Sequence, residues 1–231
     1  MSTKNTKLIV GMLALSLALP LALTSGQAAG TPSSKVTYQT SALTLIPATT
    51  NTSPEWVTDL SGIIKTAQNK DMFITGSIEA GLFTETVVRS KGMQKDTSTA
   101  TVSIQVQALV DGQQVPPGIV TYAARTQTLS ATLEGAIAGC LTIVTNADGS
   151  LSIVLDETCV TPEEIGLILS TLSAASFDFV AVNVPQGVHT VSLQARITSS
   201  TSLGGTQLGS ATAFGFVGKG TMIVESVRLV K

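Results

Sequence analysis

From Thr101 to Val110 apolar and polar residues alternate along the chain. Val102, Ile104, Val106, Ala108 and Val110 share one parity; Thr101, Ser103, Gln105 and Gln107 share the other, and only Leu109 breaks step. A period of two sends successive side chains to opposite faces of a strand. Strict alternation therefore means one dry and one wet face, as in an antiparallel sheet. Val188–Ile197 repeats the pattern, with Val191, Leu193, Ala195 and Ile197 against Thr190, Ser192, Gln194 and Arg196. Thr101-Val102-Ser103-Ile104-Gln105 and Thr190-Val191-Ser192-Leu193-Gln194 are nearly one phrase. No longer repeat accompanies it, so two strands of one sandwich converging on a pattern explain it.

The same reading places strands elsewhere. Leu60–Thr66 and Met72–Phe83 flank the polar turn Gln68-Asn69-Lys70-Asp71 and predict a hairpin. Leu141–Val144 and Leu151–Leu155 flank Asn146-Ala147-Asp148-Gly149 and predict another. Ala42–Ile46 is a candidate first strand. Ile119–Leu133, Phe177–Val184, Ala211–Val217 and Thr221–Val230 complete the set, with Asp111-Gly112 and Pro185-Gln186-Gly187 as turns. Arg89–Thr99 and Ser199–Gly209 read as polar loops. One segment follows a different period. Thr161 offers an N-cap, Pro162 the first helical position and Glu164 a capping box, and Ile165, Ile168, Leu169 and Leu172 follow at helical spacing. A short helix is expected to about Ser173. The whole predicts an all-β fold: an antiparallel two-sheet sandwich of nine to eleven strands with one short helix, the jelly roll being one topology it admits.

The N-terminus carries its own pattern. Lys4 and Lys7 precede an apolar run from Leu8 to Leu23, interrupted by Pro20 and followed by small residues through Ala29. That is the layout of a secretory signal peptide, with cleavage expected after Ala28. As a helix the run would span roughly 24 Å, short of a hydrocarbon core of about 30 Å, so a retained anchor is the weaker reading. The C-terminus ends without a hydrophobic tail, and no membrane span is expected after cleavage. The expected division is 1–28 signal, 29–58 a Thr/Ser/Pro-rich lead-in, and 59–231 the sandwich. The expected location is secreted, extracellular or periplasmic.

Composition narrows the partners. The 231 residues include 13 basic and 15 acidic ones. Loss of Lys4 and Lys7 leaves eleven against fifteen, a net charge of −4. No basic cluster exists for nucleic acid or anionic lipid. Charged residues make up 12 %, about half the usual share. Such a surface repels itself weakly and is compatible with self-association or a place in the cell envelope. Cys140 and Cys159 are the only cysteines, and an exported pair of this kind predicts one disulfide across the 141–155 hairpin.

Candidate chemistry is thin. His189 is the sole histidine; without a G-x-S-x-G elbow it reads as a strand-end residue rather than a catalytic base. Glu79 and Glu85 are a conceivable glycosidase pair. Asp156, Glu157, Glu163 and Glu164 form the densest acidic group. The expected helix dipole accounts for the last two, and a weak Ca²⁺ site stays open. Asn146-x-Asp148-Gly149 matches part of a Ca²⁺ loop but lacks the other ligands, and a hairpin turn explains it. Gly215–Thr221 misses the phosphate-loop spacing, with Ala213 where glycine is required. Trp56 is the one aromatic placed to stack on a sugar, though a core role fits it better. Asn51-Thr52-Ser53 is a glycosylation sequon. No metal cluster and no catalytic set emerge; Trp56, His189, Asp156 and Glu157 remain as binding candidates.

Four stretches (Ile64-Lys65-Thr66 through Lys91-Gly92, Val110-Asp111-Gly112-Gln113, Gly187-Val188-His189-Thr190-Val191, and Gly218-Lys219-Gly220-Thr221 through Arg228-Leu229) resemble a group of exported microbial β-rich proteins with no assigned function. The resemblance implies a secreted β-rich domain and no functional residues. The expectation is a non-catalytic exported module with a structural or binding role at the cell surface or in the periplasm. A secreted glycan hydrolase and a self-assembling fibre or layer subunit are the alternatives.

Overall fold

Why the alternating segments become strands is plain from where each parity goes. The computed structural model describes residues 35–42, 49–50, 55–137 and 139–229. The signal-like segment, the sequon and all of the expected Ala42–Ile46 strand but Ala42 lie outside them. Twelve strands occupy the described residues: β1 (Val36–Ser41), β2 (Thr49–Thr50), β3 (Val57–Thr66), β4 (Lys70–Ser90), β5 (Gln94–Val110), β6 (Gln113–Gln114), β7 (Val120–Leu133), β8 (Leu141–Thr145), β9 (Leu151–Leu155), β10 (Glu163–Val184), β11 (Gly187–Gly204) and β12 (Ser210–Val227).

They form an all-β sandwich. One sheet runs β1-β12-β4-β10, every neighbour antiparallel. In the other, β11 lies between β3 and β5, and β7 flanks β5 on its far side. The two-residue strands β2 and β6 sit on β11 and β5. β8 and β9 pair with each other alone. The inward parity of each long strand makes the dry interlayer. Met72, Ile74 and Ile78 of β4, Met222 and Val224 of β12 and Phe179 of β10 meet Ile64 of β3, Val102, Ile104 and Val106 of β5 and Leu193 and Ile197 of β11. Gly76 lets the layers approach, since a Cβ there would lie 2.7 Å from Leu193 Cδ2.

The outer face of the second sheet is laced with polar cross-strand pairs. Gln114 Nε2 donates to Gln107 Oε1 (2.6 Å), Gln107 Nε2 to Gln194 Oε1 (2.8 Å), and Gln194 Nε2 to Thr58 Oγ1 (3.2 Å). Thr97–Ser130, Thr99–Thr128 and Thr101–Thr126 join β5 to β7. The nearly repeated phrase is explained here, because its two copies lie on adjacent strands, β5 and β11, and present outward polar groups to one surface.

Towards Ser90 the interlayer turns polar. Gln127 reaches inward from β7: Thr84 Oγ1 donates to its Oε1 (2.8 Å), and its Nε2 donates to Thr86 Oγ1 and to the Leu167 carbonyl (both 2.7 Å). All three side chains are buried, and each has found a partner, as burial demands.

Several expectations need correction. The helix expected at 161–173 is strand: Glu163–Val184 is one continuous β10, and no helix occurs among the described residues. Its apolar residues fall on both parities, so they satisfy a helical template by coincidence; pairing with β4 from Glu163↔Ser90 to Ala181↔Met72 supplies the backbone bonds a helix would have made internally. The expected hairpin of 60–66 with 72–83 does not form, since β3 and β4 belong to different sheets and the 68–71 turn carries the chain across. The loops expected at 89–99 and 199–209 are largely strand, because Thr97–Thr101 of β5 and Ser200–Gly204 of β11 pair with each other. β12 runs unbroken, with a register shift between Val217 and Gly220, and the lead-in contributes β1.

Phe179 is fully buried and touches the ring of Phe177 at 5.4 Å between centroids. Phe179→Ala is expected to lower unfolding free energy by about 3–5 kcal/mol, because a large cavity opens between the layers; a denaturant melt read at constant m-value checks it.

Candidate functional site

β4 is covered on both edges along its length, by β12 and by β10. β10 has β4 on one edge and no strand on the other among the described residues. From Glu163 to Asp178 every residue of β10 is exposed, although the sequence there is apolar. Ile165, Leu167 and Leu169 share the inward parity of Val88, Thr86 and Thr84, but lie beyond the reach of the opposite sheet. Ile168 (60 % exposed) and Leu172 (62 %) point outward. What the opposite sheet offers this stretch is polar. Arg125 Nη1 donates to the Leu169 carbonyl (2.9 Å) and Nη2 to Thr171 Oγ1 (2.5 Å), Gln127 bonds the Leu167 carbonyl, and the Tyr122 hydroxyl donates to the Ala175 carbonyl. These clamps hold the strand's backbone in place without covering its side chains. Burial raises the Tyr122 phenol above its ordinary pKa, against the opposing bonds to Ile78 and Ala175.

The β8–β9 hairpin is a second bare apolar surface. Its pairing sets Leu141 opposite Leu155, Ile143 opposite Ile153 and Thr145 opposite Leu151, so five large aliphatic side chains share one face. Ile143, Leu151 and Ile153 are each 71–72 % exposed. The tip is an ordinary tight turn: Gly149 takes φ 80°, Asn146 N donates to the Ser150 carbonyl (2.8 Å), and Asp148 Oδ1 accepts from Ser150 N and Oγ. The base is clamped. Cys140 and Cys159 form the expected disulfide, 5.4 Å between Cα atoms; Asp156 N donates to the Cys140 carbonyl; and Ala136 and Thr161 exchange two backbone bonds, of 2.9 and 3.2 Å. Cys140 and Val160 are buried beneath it. A two-stranded hairpin has little stability of its own in water, so this arm stands because its root is tied.

Beside that root lies a cavity of about 550 Å³, lined among others by Lys91, Met93, Glu134, Ile137, Leu155 and Glu157. Lys91 Nζ donates to the Val160 carbonyl (3.3 Å) across its floor. The root therefore sits at the same end of the sandwich as the start of β10, where Glu163 pairs with Ser90.

The residues singled out in the sequence are dispersed and structurally engaged. His189 is buried; its Nδ1 lies 2.7 Å from Asp111 Oδ2 and its Nε2 2.9 Å from the Pro185 carbonyl. Both ring nitrogens are engaged within the fold, and neither is presented to a substrate. Asp111, in the left-handed turn after β5 (φ 51°), also accepts from Thr190 N (2.8 Å). Burial pushes its carboxyl up, but the His189 bond, the Thr190 amide and the charge of the ring outweigh it, leaving the pKa below the ordinary value. Trp56 is half-buried with Arg196 4.5 Å over its ring, and Arg196 Nε also donates to Gln105 Oε1. That cation–π contact occupies the face a sugar would use.

The acidic group does not converge. Asp156 Oδ1 accepts from Thr158 Oγ1 (2.6 Å) and N (3.0 Å), and these bonds hold its pKa low. Glu157 lines the cavity, Glu163 accepts from Gly135 N, and Glu164 pairs with Arg89 at 2.5 Å. Among the described residues no three His, Cys, Asp or Glu gather to hold a metal ion. Glu79 and Glu85 lie on one face of β4 six residues apart, roughly 20 Å along an extended strand, whereas paired glycosidase carboxylates stand about 5–9.5 Å apart. Sequence reasoning missed the bare β10 edge, the Asp111 partner of His189 and the clamp residues Tyr122, Arg125 and Gln127. The one available signal for the edge was a segment apolar on both parities.

No family model matches the chain, and no curated protein matches it. A chain from the crystal structure of the T13 IBDV viral particle is similar over 85 % of this chain and 36 % of its own length, at 12 % identity and a TM-score of 0.27.

Two expectations follow from this geometry. Reducing the disulfide is expected to expose the 141–155 arm to limited proteolysis while the melting of the sandwich barely moves, since the arm pairs only with itself; mass mapping of the first cuts checks it. A carboxyl with a lowered folded pKa stabilises above its unfolded value near 3.8 and loses that contribution as pH falls through the folded one. Asp111→Asn, which keeps the left-handed turn, is therefore expected to be less stable than wild type at pH 7. The gap should shrink below about pH 4, read from denaturant midpoints at several pH values. A gap constant with pH would remove the charge from the account.

Proposed function

We propose that this chain is an exported, non-catalytic β-sandwich with a structural role at the cell surface or in the periplasm, acting through association rather than turnover. The observation that carries this reading is the contrast between its chemistry and its surface. His189, Asp156, Glu163 and Glu164 are engaged in folding contacts, while the large aliphatic side chains between Ile165 and Leu172 of β10 and one face of the β8–β9 arm stand exposed. Large exposed apolar surface on a folded domain marks an interaction site. Export is supported by the signal-like segment at 1–28 together with the disulfide, which persists in oxidising compartments. The hydrolase alternative loses its carboxylate pair to the geometry of β4.

Cell fractionation with sizing of the native protein tests the proposal. The expected result is a processed species lacking 1–28, outside the cytoplasm and held in the envelope or at the surface. An unprocessed cytosolic protein, or glycan hydrolysis by the purified chain that Glu79→Gln or Glu85→Gln abolishes, overturns it.

A further inference from the structure

We infer that the partner of the bare surface is a second copy of this chain, and that two copies exchange their β8–β9 arms, each arm laying its apolar face on the exposed part of β10 in the other. The inference rests on the associating role proposed above and names its partner.

Three observations carry it. The first is self-complementarity. One chain presents both halves of a match: a narrow arm, apolar on one face, and a strand whose apolar side chains, Ile165 to Leu172, stand exposed. Two-fold exchange satisfies both halves in both copies, the closed form that most homo-oligomers take. The second is placement. The arm's root and the bare stretch of β10 lie at one end of the sandwich, so a copy docking end-on brings each arm to the other's strand. Among the described residues each strand of the arm pairs only with the other. The third is size. Taking on the order of 100 Å² of apolar surface for one fully exposed Leu or Ile side chain, the arm face together with the outward Ile168 and Leu172 amounts to roughly 430 Å² per copy. An ordinary stable interface buries about 800 Å² per partner, some 60 % of it apolar, a comparable quantity. Low charge supports close approach, since charged residues make up only 12 % of the chain.

Sedimentation velocity on the purified processed chain tests this, with two variants whose substitutions sit on exposed positions that the fold does not bury. Ile143→Lys/Ile153→Lys alters the arm face, and Ile168→Lys/Leu172→Lys alters the strand. Wild type is expected to sediment as a dimer at micromolar concentration. Each variant alone is expected to be monomeric, with circular dichroism and melting unchanged. Mixed in equal amounts, the variants are expected to form a heterodimer at least tenfold weaker than wild type. The intact arm of the strand variant then meets the intact strand of the arm variant, restoring one contact of two. Retained dimers in the arm variant mean direct pairing of β10 edges and overturn the inference; retained dimers in the strand variant mean arm-on-arm packing and overturn it too. A wild-type monomer at 100-fold higher concentration also overturns it. A monomer still located in the envelope leaves the functional reading standing and removes only the second copy as its partner.

Discussion

The backbone of β4 has to be paired on both edges from Met72 to Val87, and most of the molecule follows from that demand. Alternate residues of β4 are buried from Met72 to Ser90, and buried amides and carbonyls without partners cost about 1–3 kcal/mol each. β12 supplies one edge and β10 the other. The burial of β10 by the opposite sheet ends near Phe179, and from Asp178 back to Glu163 its side chains are exposed. β10 is thus held as a strand by hydrogen bonds whose benefit falls largely on its neighbour. Its own side chains from Ile165 to Leu172 gain little burial. Tyr122, Arg125 and Gln127 fix its carbonyls from across the layer, which makes the bare strand an ordered surface rather than a fraying edge.

The arm has the same character on a smaller scale. Its five aliphatic side chains make one face that nothing among the described residues covers. A free hairpin of that kind would open and close; the disulfide and the Ala136–Thr161 bridge remove the freedom of its ends. Exposed edges are ordinarily blunted with charge, proline or a bulge. β10 from Glu164 to Ser176 carries none of these beyond Glu164 itself, which is neutralised by Arg89. That surface keeps its apolar character while covalent and hydrogen-bonded restraint holds it in place, which is the basis of the association proposed above.

The polar groups serve the opposite purpose. The Asp111–His189 pair joins the turn after β5 to the start of β11, and the carbonyl of Pro185 closes the remaining ring nitrogen. A carboxylate beside an imidazole has the outline of a catalytic dyad, but here both ring nitrogens are spent on contacts within the fold, one on Asp111 and one on the Pro185 carbonyl. The glutamine and threonine ladders of the second sheet likewise tie strands to one another.

The sequence by itself determined which residues face inward. The two-residue period at 101–110 and 188–197 is a local property of a half-buried strand, and the side chains it marked are the core. It also determined the disulfide and the 141–155 hairpin, because turn chemistry at Asn146–Gly149 and two bracketing cysteines are short-range facts. Long-range pairing is another matter. Whether 163–173 coils or extends depended on β4 lying alongside, since an apolar run on both parities fits either period. Ser/Thr-rich stretches such as 89–99 and 199–209 carry no strong preference, and partners across the sheet drew them into strand. That β3 and β4 part company after a turn, that His189 finds Asp111, and that β10 is left exposed depend on pairings between segments far apart in the chain, which exist only once the layers are stacked.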